Sequence, residues 1–307
     1  TNFFNNMAGA TFNSGSVVNL GVGNQFSNSG VLSPGGSNAI AATSITGNFV
    51  QTPGGELLAD VNLGTGTGDL TSITGSAALS GNVRAEATTL AVGPQQITIL
   101  SAAGGTSDNG LGVIASPVLN ARLIFPNPND VVLATNLDFT PATGLNRNQT
   151  HLADYFNLAT AEGSGALDPL LMSLVNGPVD MAEYRHALNQ LLPDVFLNSG
   201  TAALLSSTEF SNDLFSCHSA GTGAAFIRQG ECVWVRPKGR KLEFDGTTQN
   251  IGYDDRATGL SAGTQFRFAP DWFANVAIGY ERGTTETESG ADSDSDRYQA
   301  GLSVKYQ

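Results

Sequence analysis

The stretch GLSAGTQFRFAPDWFANVAIGYERG, residues 259–283, alternates for nearly its whole length. Leu260, Ala262, Thr264, Phe266 and Phe268 take even positions, and Ser261, Gly263, Gln265 and Arg267 fall between them. After Pro270 and Asp271 the pattern resumes with Trp272, Ala274, Val276, Ile278 and Tyr280. Period two puts successive side chains on opposite faces of a sheet, so this strand pair separates an apolar from a polar environment. A soluble sandwich with one solvated face gives that pattern, and so does a membrane barrel with lipid outside and a polar lumen. Alternation by itself does not choose between them.

The flanking sequence does. A first strand, CVWVRPKGRKLEF, precedes the pair, and a fourth, RYQAGLSVKY, follows it. The two central strands join through the short turn Ala269-Pro270-Asp271, whereas long polar loops, DGTTQNIGYDDRAT and TTETESGADSDSD, join the outer pairs. Short turns at one end, long loops at the other and strands of about 10 residues are features of outer-membrane barrels. Phe268, Trp272, Tyr280, Tyr298 and Tyr306 sit near strand ends, as an interfacial aromatic girdle requires. On this reading Arg236, Arg267, Gln299, Ser303 and Lys305 face the lumen, while Phe266, Ile278, Leu302 and Val304 face lipid.

The rest of the 307-residue chain has a different texture. Only 13% of its residues are charged and 37 are glycine, a composition suited to many short strands and tight turns. Residues 1–142 are rich in Ser, Thr and Asn. Alternating runs such as Leu57, Ala59, Val61, Leu63 are separated there by glycine turns, and Phe12 and Phe26 each precede an Asn-Ser-Gly in a weak repeat. Low charge and loose repetition favour the stacked rungs of a parallel β-solenoid over a β-sandwich. Residues 143–218 change to helical periodicity. Asp180 with Glu183 forms a capping-box pattern, Met181, Tyr184, Leu188, Leu191 and Leu192 recur at helical spacing, and the helix from Val195 to Phe215 has a small-residue face of Ser199, Ala202, Ala203 and Ser206. Residues 219–307 hold the strands. The expected fold is therefore mainly β: a parallel β-helix, a helical linker, and an incomplete antiparallel outer-membrane barrel of about four strands. The chain opens TNFFNN, without Met or leader, and reads as an internal piece of a longer protein.

This order of parts resembles the autotransporters of type V secretion. GGELLADVNLGTGTGDLTSITGSAALSGNV is similar to the C-terminal rungs of pertactin-like passengers, and CVWVR with GYDDRATGLSAGTQFRFAPDWFANVAIGYERG resembles the start of the autotransporter β-domain. The resemblance implies a barrel in the bacterial outer membrane, a helix through its pore, a passenger displayed at the cell surface, and as partners outer-membrane lipid, the barrel-assembly machinery and a host or surface ligand of the passenger. It also implies an oxidising compartment, in which Cys217 and Cys232 would form a disulfide tying the helix to the first strand. Family barrels have about twelve strands, and about four are too few to close a wall. Glu209 and Asp213, four apart on one helix face, are expected to meet a basic wall made by Arg236, Lys238, Arg240, Lys241, Arg267 and Lys305 if the helix occupies the lumen. In a family subgroup the pore helix is cleaved after an Asn; Asn212-Asp213 matches by one residue only.

No other chemistry is marked. A net charge of −13 argues against nucleic-acid binding. His151, His186 and His218 are scattered, and neither cysteine sits in a zinc-type pair, so no metal, cofactor or catalytic residue is assigned and no enzyme is expected. GTGTGD, residues 64–69, lacks the Lys-Ser/Thr of a phosphate loop. Asp292, Asp294 and Asp296 open like a calcium loop, but Ser303 stands where its bidentate Glu belongs. A surface adhesin whose activity lies upstream, or an enzyme passenger, are the alternative readings to a protein of secretion and display.

Overall fold

A computed structural model describes residues 3–141, 143–215, 217, 224–228, 231–247, 251–288 and 290–306, with side chains at 194–196 and 224–228 left aside. His218, the boundary positions 142 and 218, and residues 248–250 and 289 of the expected loops lie outside the described residues. The chain divides into two compact units, Thr1–Leu145 with Gln149–Leu188, and Asn146–Asn148 with Asn189–Gln307. The helical segment is thus shared between them.

The first unit is a parallel β-solenoid. Its first rung is β1 (Phe3–Asn6), β2 (Thr11–Ser14) and β3 (Val17–Asn19). The second is β4 (Gln25–Asn28), β5 (Val31–Pro34) and β6 (Ala42–Thr46). The third is β7 (Asn48–Gln51), β8 (Glu56–Asn62), a small offshoot β9 (Thr67–Gly68) and β10 (Leu70–Ile73). In the fourth, β11 (Ala77–Thr89) runs through two faces and β12 (Gly93–Ala102) takes the third. The strands β1, β4, β7 and β11 stack in parallel, as do β2, β5, β8 and β11, and β3, β6, β10 and β12. Above them β13 (Thr106–Ile114) stays parallel on β11, but β14 (Leu119–Ile124) and β15 (Asp130–Leu137) pair antiparallel and end the stacking.

Each rung is too short to bury its own core, so like residues stack between rungs. Phe4, Phe26 and Phe49 share one register, with ring centroids 4.9 and 5.4 Å apart. Two residues on, Asn6, Asn28 and Gln51 form an interior amide ladder, Asn6 Nδ2 donating to Asn28 Oδ1 at 2.8 Å. In the next rung Leu79 takes that register and the ladder turns apolar. The true repeat is therefore Phe4, Phe26, Phe49 and not the expected Phe12, Phe26, since Phe12 lies on β2 opposite Leu32. The amide ladder also fixes one corner: the N–H groups of Val31, Glu56 and Asn82 donate to the carbonyls of Ala10, Gly30 and Gly55, while their own carbonyls accept the side-chain amides of Asn6, Asn28 and Gln51. Gly81, at φ 71°, turns β11 around that corner, and a Cβ there would collide with the Gly55 carbonyl.

Strands β8 and β11 to β15 are longer than those of the first two rungs and bury Leu57, Val61, Val83, Ile97, Ile99, Leu119, Val131 and Leu133. Each buried Å² of apolar surface contributes about 25 cal/mol, so stability concentrates at this end. Limited proteolysis is expected to leave residues 56–135 intact after residues 1–45 have been degraded; survival of the N-terminal piece instead would contradict it.

The helices α1 (Arg147–Glu162), α2 (Asp168–Asn176) and α3 (Met181–Leu191) follow. Asp180 Oδ1 accepts the Glu183 amide at 2.9 Å, and the Glu183 carboxylate reaches back to Val179 N–H at 2.9 Å, so the capping box closes one residue further out than its usual partner. Phe139 at the end of the solenoid packs edge-on against Phe156 of α1, and its carbonyl accepts the buried Tyr184 hydroxyl at 2.7 Å. The upper edge of β11 pairs with β13 only as far as Arg84. Beyond it, Asn176 of α2 acts as a strand: its Nδ2 donates to the Ala87 carbonyl at 2.8 Å and its Oδ1 accepts the Ala87 N–H at 2.9 Å. Edges left unpaired are a liability, and here a side-chain amide closes one. Asn176→Ala would orphan both groups and is expected to cost about 1–3 kcal/mol in thermal unfolding.

The second unit is a five-stranded antiparallel sheet in chain order, β16 (Ala224–Arg228), β17 (Glu231–Phe244), β18 (Tyr253–Ala269), β19 (Trp272–Thr287) and β20 (Asp292–Tyr306), with helix α4 (Asp194–Leu214). The four expected strands are present, and the short β16 precedes them. Pro270-Asp271 makes the tight hairpin, Asp271 taking φ 62°, a left-handed conformation that Asp tolerates. The opposite loops are shorter than expected. The polar runs enter the strands, Thr284 pairing with Asp294, Thr285 with Ser293 and Glu286 with Asp292, while residues 253–258 are the start of β18. Polar side chains do not end a ladder whose hydrogen bonds are made by the backbone, and Thr284 Oγ1 donates to Asp294 at 2.6 Å across it.

Candidate functional site

Register sorts the two faces of the sheet row by row, because residues directly opposite one another share a face. One face carries the rows Val233, Thr264, Val276, Leu302, then Val235, Ala262, Ile278, Ala300, then Pro237, Leu260, Tyr280, Tyr298. It also carries Phe266, Ala274, Val304 and, at the hairpin end, Trp272 beside Tyr306. The large side chains here are solvent-exposed; Ile278 is 65% and Leu302 72% exposed. Trp272 contacts Tyr306 at 5.3 Å and Tyr280 contacts Tyr298 at 5.2 Å, so aromatic pairs bound the aliphatic rows at both ends. Between the two pairs β19 advances roughly 26 Å at about 3.3 Å a residue. Tilted by about 40°, that is roughly 20 Å of height, close to the apolar band of an outer-membrane barrel. Past Tyr280 and Tyr298 the same face turns to Arg282, Thr284, Asp296 and Asp294.

The other face is polar and lies under α4. Its rows are Cys232, Gln265, Asn275, Ser303; Trp234, Gly263, Ala277, Gly301; Arg236, Ser261, Gly279, Gln299; and Lys238, Gly259, Glu281, Arg297. Arg267, Phe273 and Lys305 form a further row. The residues read as lumen-facing, Arg236, Arg267, Gln299, Ser303 and Lys305, are all on this face. The helix meets it with Ala202, Ser206, Phe210, Asp213 and Leu214, which are buried at helical spacing. Close approach depends on glycine: a Cβ on Gly301 would stand 3.0 Å from Phe210, and one on Gly279 3.1 Å from it. Gln299 Nε2 donates to Ser206 Oγ at 3.1 Å, and Asn275 Nδ2 to Ser303 Oγ at 2.9 Å.

Asp213 is the electrostatic centre of the contact. Its Oδ1 lies 3.0 Å from Arg236 Nη1, its Oδ2 2.6 Å from Lys238 Nζ, and Ser261 Oγ donates to Oδ2 at 2.8 Å. Glu209, one turn earlier, faces Arg240 at a looser 3.6 Å. Arg240 is mainly bound within the sheet, at 3.5 Å from Asp255 and 3.2 Å from Glu281, which also holds Arg297 at 2.6 Å. Three members of the expected basic wall are not among the partners of the two acids: Arg267 and Lys305 share this face but lie three rows from Arg236, and Lys241 is not on it. Arg267 lies over the Phe273 ring at 5.0 Å. Lys241 alternates onto the opposite face and pairs there with Glu243 at 2.7 Å. Its neighbour Arg240 is the inward one, as odd–even alternation requires.

Cys217, just after α4, is bonded to Cys232 of β17, with Cα atoms 6.1 Å apart. The tether spans 15 residues and fixes the end of the helix to the wall beside Trp234. Alkylation of the unfolded, unreduced protein is expected to add no thiol adduct, and two only after reduction; two adducts without reductant would exclude the bond. Asn212-Asp213, considered as a cleavage point, is helical, with Asp213 engaged by two cations. Among the described residues no three His, Cys, Asp or Glu side chains are grouped to hold a metal, and no helix is long and apolar enough to cross a membrane; strands cross by other rules. Asp292, Asp294 and Asp296 are strand residues of β20 and do not enclose a loop.

Residues 233–307 match the family model of the autotransporter beta-domain. The chain carries an autotransporter beta-domain. With the β-solenoid ahead of it in sequence, this is the arrangement of an autotransporter with a β-helical passenger. The matched segment begins at Val233, beside the disulfide, and takes in the row structure described above. The autotransporter domain associates the chain with the outer membrane and with passenger export. Neither the curated proteins nor the solved structures contain a match to the chain.

Proposed function

We propose that this chain is the junction of an autotransporter, in which the sheet contributes to an outer-membrane barrel, α4 occupies its lumen, and the solenoid is the displayed end of the passenger. The observation that carries this reading is the two-faced sheet. An exposed aliphatic band between aromatic pairs lies on one side, and a helix ion-paired through Asp213 lies on the other. Its partners are outer-membrane lipid and the barrel-assembly machinery. The role is mechanical, not catalytic, and the passenger is an adhesive or structural rod, whose stacked rungs present rows of short polar side chains such as Ser44, Ser72 and Ser101. In cells making the complete protein, an epitope placed in the solenoid should be removed by protease added outside, while the β-domain stays in the outer-membrane fraction. An epitope reached only after the outer membrane is opened would overturn the proposal.

A further inference from the structure

The solenoid buries two carboxylates that its β-helical architecture does not require. Asp60 on β8 and Asp69 just before β10 are 0% and 1% exposed. Over them runs residues 35–41, the connection between β5 and β6, exposed along most of its length and carrying three left-handed residues, Gly35, Gly36 and Asn38. Two of its backbone groups are held by the carboxylates. Ala39 N–H donates to Asp60 Oδ2 at 2.9 Å, and Ala41 N–H to Asp69 Oδ1 at 2.8 Å. The two residues are also linked through the backbone of Asp60, whose N–H donates to Asp69 Oδ2 at 3.1 Å and whose carbonyl accepts the Asp69 N–H at 2.9 Å. Asp60 Oδ1 is buried and has no hydrogen-bond partner among the described residues.

We propose that residues 35–41 are a proton-dependent strap, closed over β8 while the Asp60–Asp69 pair holds one proton and loosened when both carboxylates are ionised. Among the described residues no cation is ion-paired with either carboxylate to neutralise two charges. The strap itself has no titratable side chain, and neither do residues 61–68 nor β10. Across β11, Glu86 stands opposite Asp60 and adds negative charge. Glu56 of β8 and Arg84 of β11 are paired with each other, and α2, packed on β11, brings only Asp168, exposed at its start. Burial pushes Asp69 up to about 7, against the opposing pull of the Ala41 and Asp60 amides, with the Asp60 charge adding to the rise. Burial likewise raises Asp60, and raises Glu86, where the Asp60 charge again contributes. Two such groups titrate as a pair.

The sign follows from the proton count. Between about pH 4 and pH 7 the folded pair keeps a proton that the unfolded chain has released, so stability falls as pH rises through that window and levels off on either side. One proton changes the folding equilibrium by up to about tenfold per pH unit. A strap of this kind makes the solenoid firmer in acidic surroundings, the reverse of ordinary acid denaturation.

The test is peptide-resolved hydrogen exchange on the full chain at pH 5.5 and 8.5, corrected for intrinsic rates. Protection at residues 38–41 should fall by about tenfold or more at the higher pH. Asp60→Asn combined with Asp69→Asn keeps an acceptor for both strap amides and leaves neither position able to ionise, so the strap of this double variant should be protected equally at both pH values. Glu86→Gln should retain the wild-type response. Equal wild-type protection at the two pH values would overturn the proposal, as would a response that survives the double substitution or disappears in Glu86→Gln. Should the double variant not fold, the wild-type comparison and Glu86→Gln still decide.

Discussion

Ile278→Arg in the complete protein is expected to weaken the folded barrel by roughly 1–3 kcal/mol, between the cost of an arginine at the bilayer midplane and at its interface, whereas Gln299→Arg is expected to fold nearly as well as wild type. Ile278 lies in the aliphatic row next to Tyr280 and Tyr298, two residues along β19 from that pair and six from Trp272, so it stands between the interface and the middle of the apolar band, and its side chain faces outward. A guanidinium there must sit in hydrocarbon or drag water towards it. Gln299 points to the opposite face, in the row of Arg236 and Ser261, where a polar side chain already meets Ser206. Barrel folding can be followed by the heat-dependent mobility of the outer-membrane fraction. Equal yields for the two variants would mean that the faces have been assigned wrongly, whatever the family of the domain.

The two faces were legible in the sequence because strand periodicity is local. Once Phe266, Ile278 and Leu302 are placed outward, Arg267, Gln299 and Ser303 must point the other way. Lys241 was misplaced where that rule was relaxed: grouping Arg240 with Lys241 as one basic cluster ignores that neighbours on a strand face apart. The loop boundaries were less legible. Thr284 to Asp296 is polar throughout, and polarity alone does not distinguish a loop from the water-exposed end of a long hairpin. In the solenoid, stacked registers matter more than local pattern. The amide after each core phenylalanine (Asn6, Asn28 and Gln51, each two residues past Phe4, Phe26 and Phe49) recurs at 22 and 23 residues, a signal present in the sequence but obscured by the nearer match of Phe12 to Phe26. Asn176 closing the edge of β11 had no sequence signal, since its partner is backbone 89 residues away. The Asp60–Asp69 pair was equally hidden, because nothing in VNLGTGTGD marks a buried carboxylate.

The two acids of α4 show how far spacing can be trusted. Glu209 and Asp213 are one helical turn apart, carry the same charge and both face basic side chains, yet their replacement should have very different consequences. Glu209 is 47% exposed as a side chain and 3.6 Å from Arg240, which keeps Asp255 and Glu281 without it. Glu209→Gln should therefore cost no more than about 0.5 kcal/mol, as for other exposed pairs. Asp213 is 11% exposed and lies between Arg236 and Lys238, the latter 15% exposed. Removing its charge leaves two neighbouring cations facing each other on a wall that α4 shields from water, a loss of roughly 3–5 kcal/mol for a fully buried pair. Arg236 is 30% exposed, which places the expectation for Asp213→Lys at the low end, about 3 kcal/mol. If the helix is held by this contact, Asp213→Lys should reduce surface display and lower the temperature at which the barrel unfolds. Adding Arg236→Glu should then recover part of both, because the pair is restored with its signs exchanged. Steric damage at a buried position would not be repaired by a second charge change, so the recovery separates an electrostatic latch from mere packing. Unchanged display and heat resistance in Asp213→Lys would remove the latch, and with it the main reason for placing α4 in the lumen.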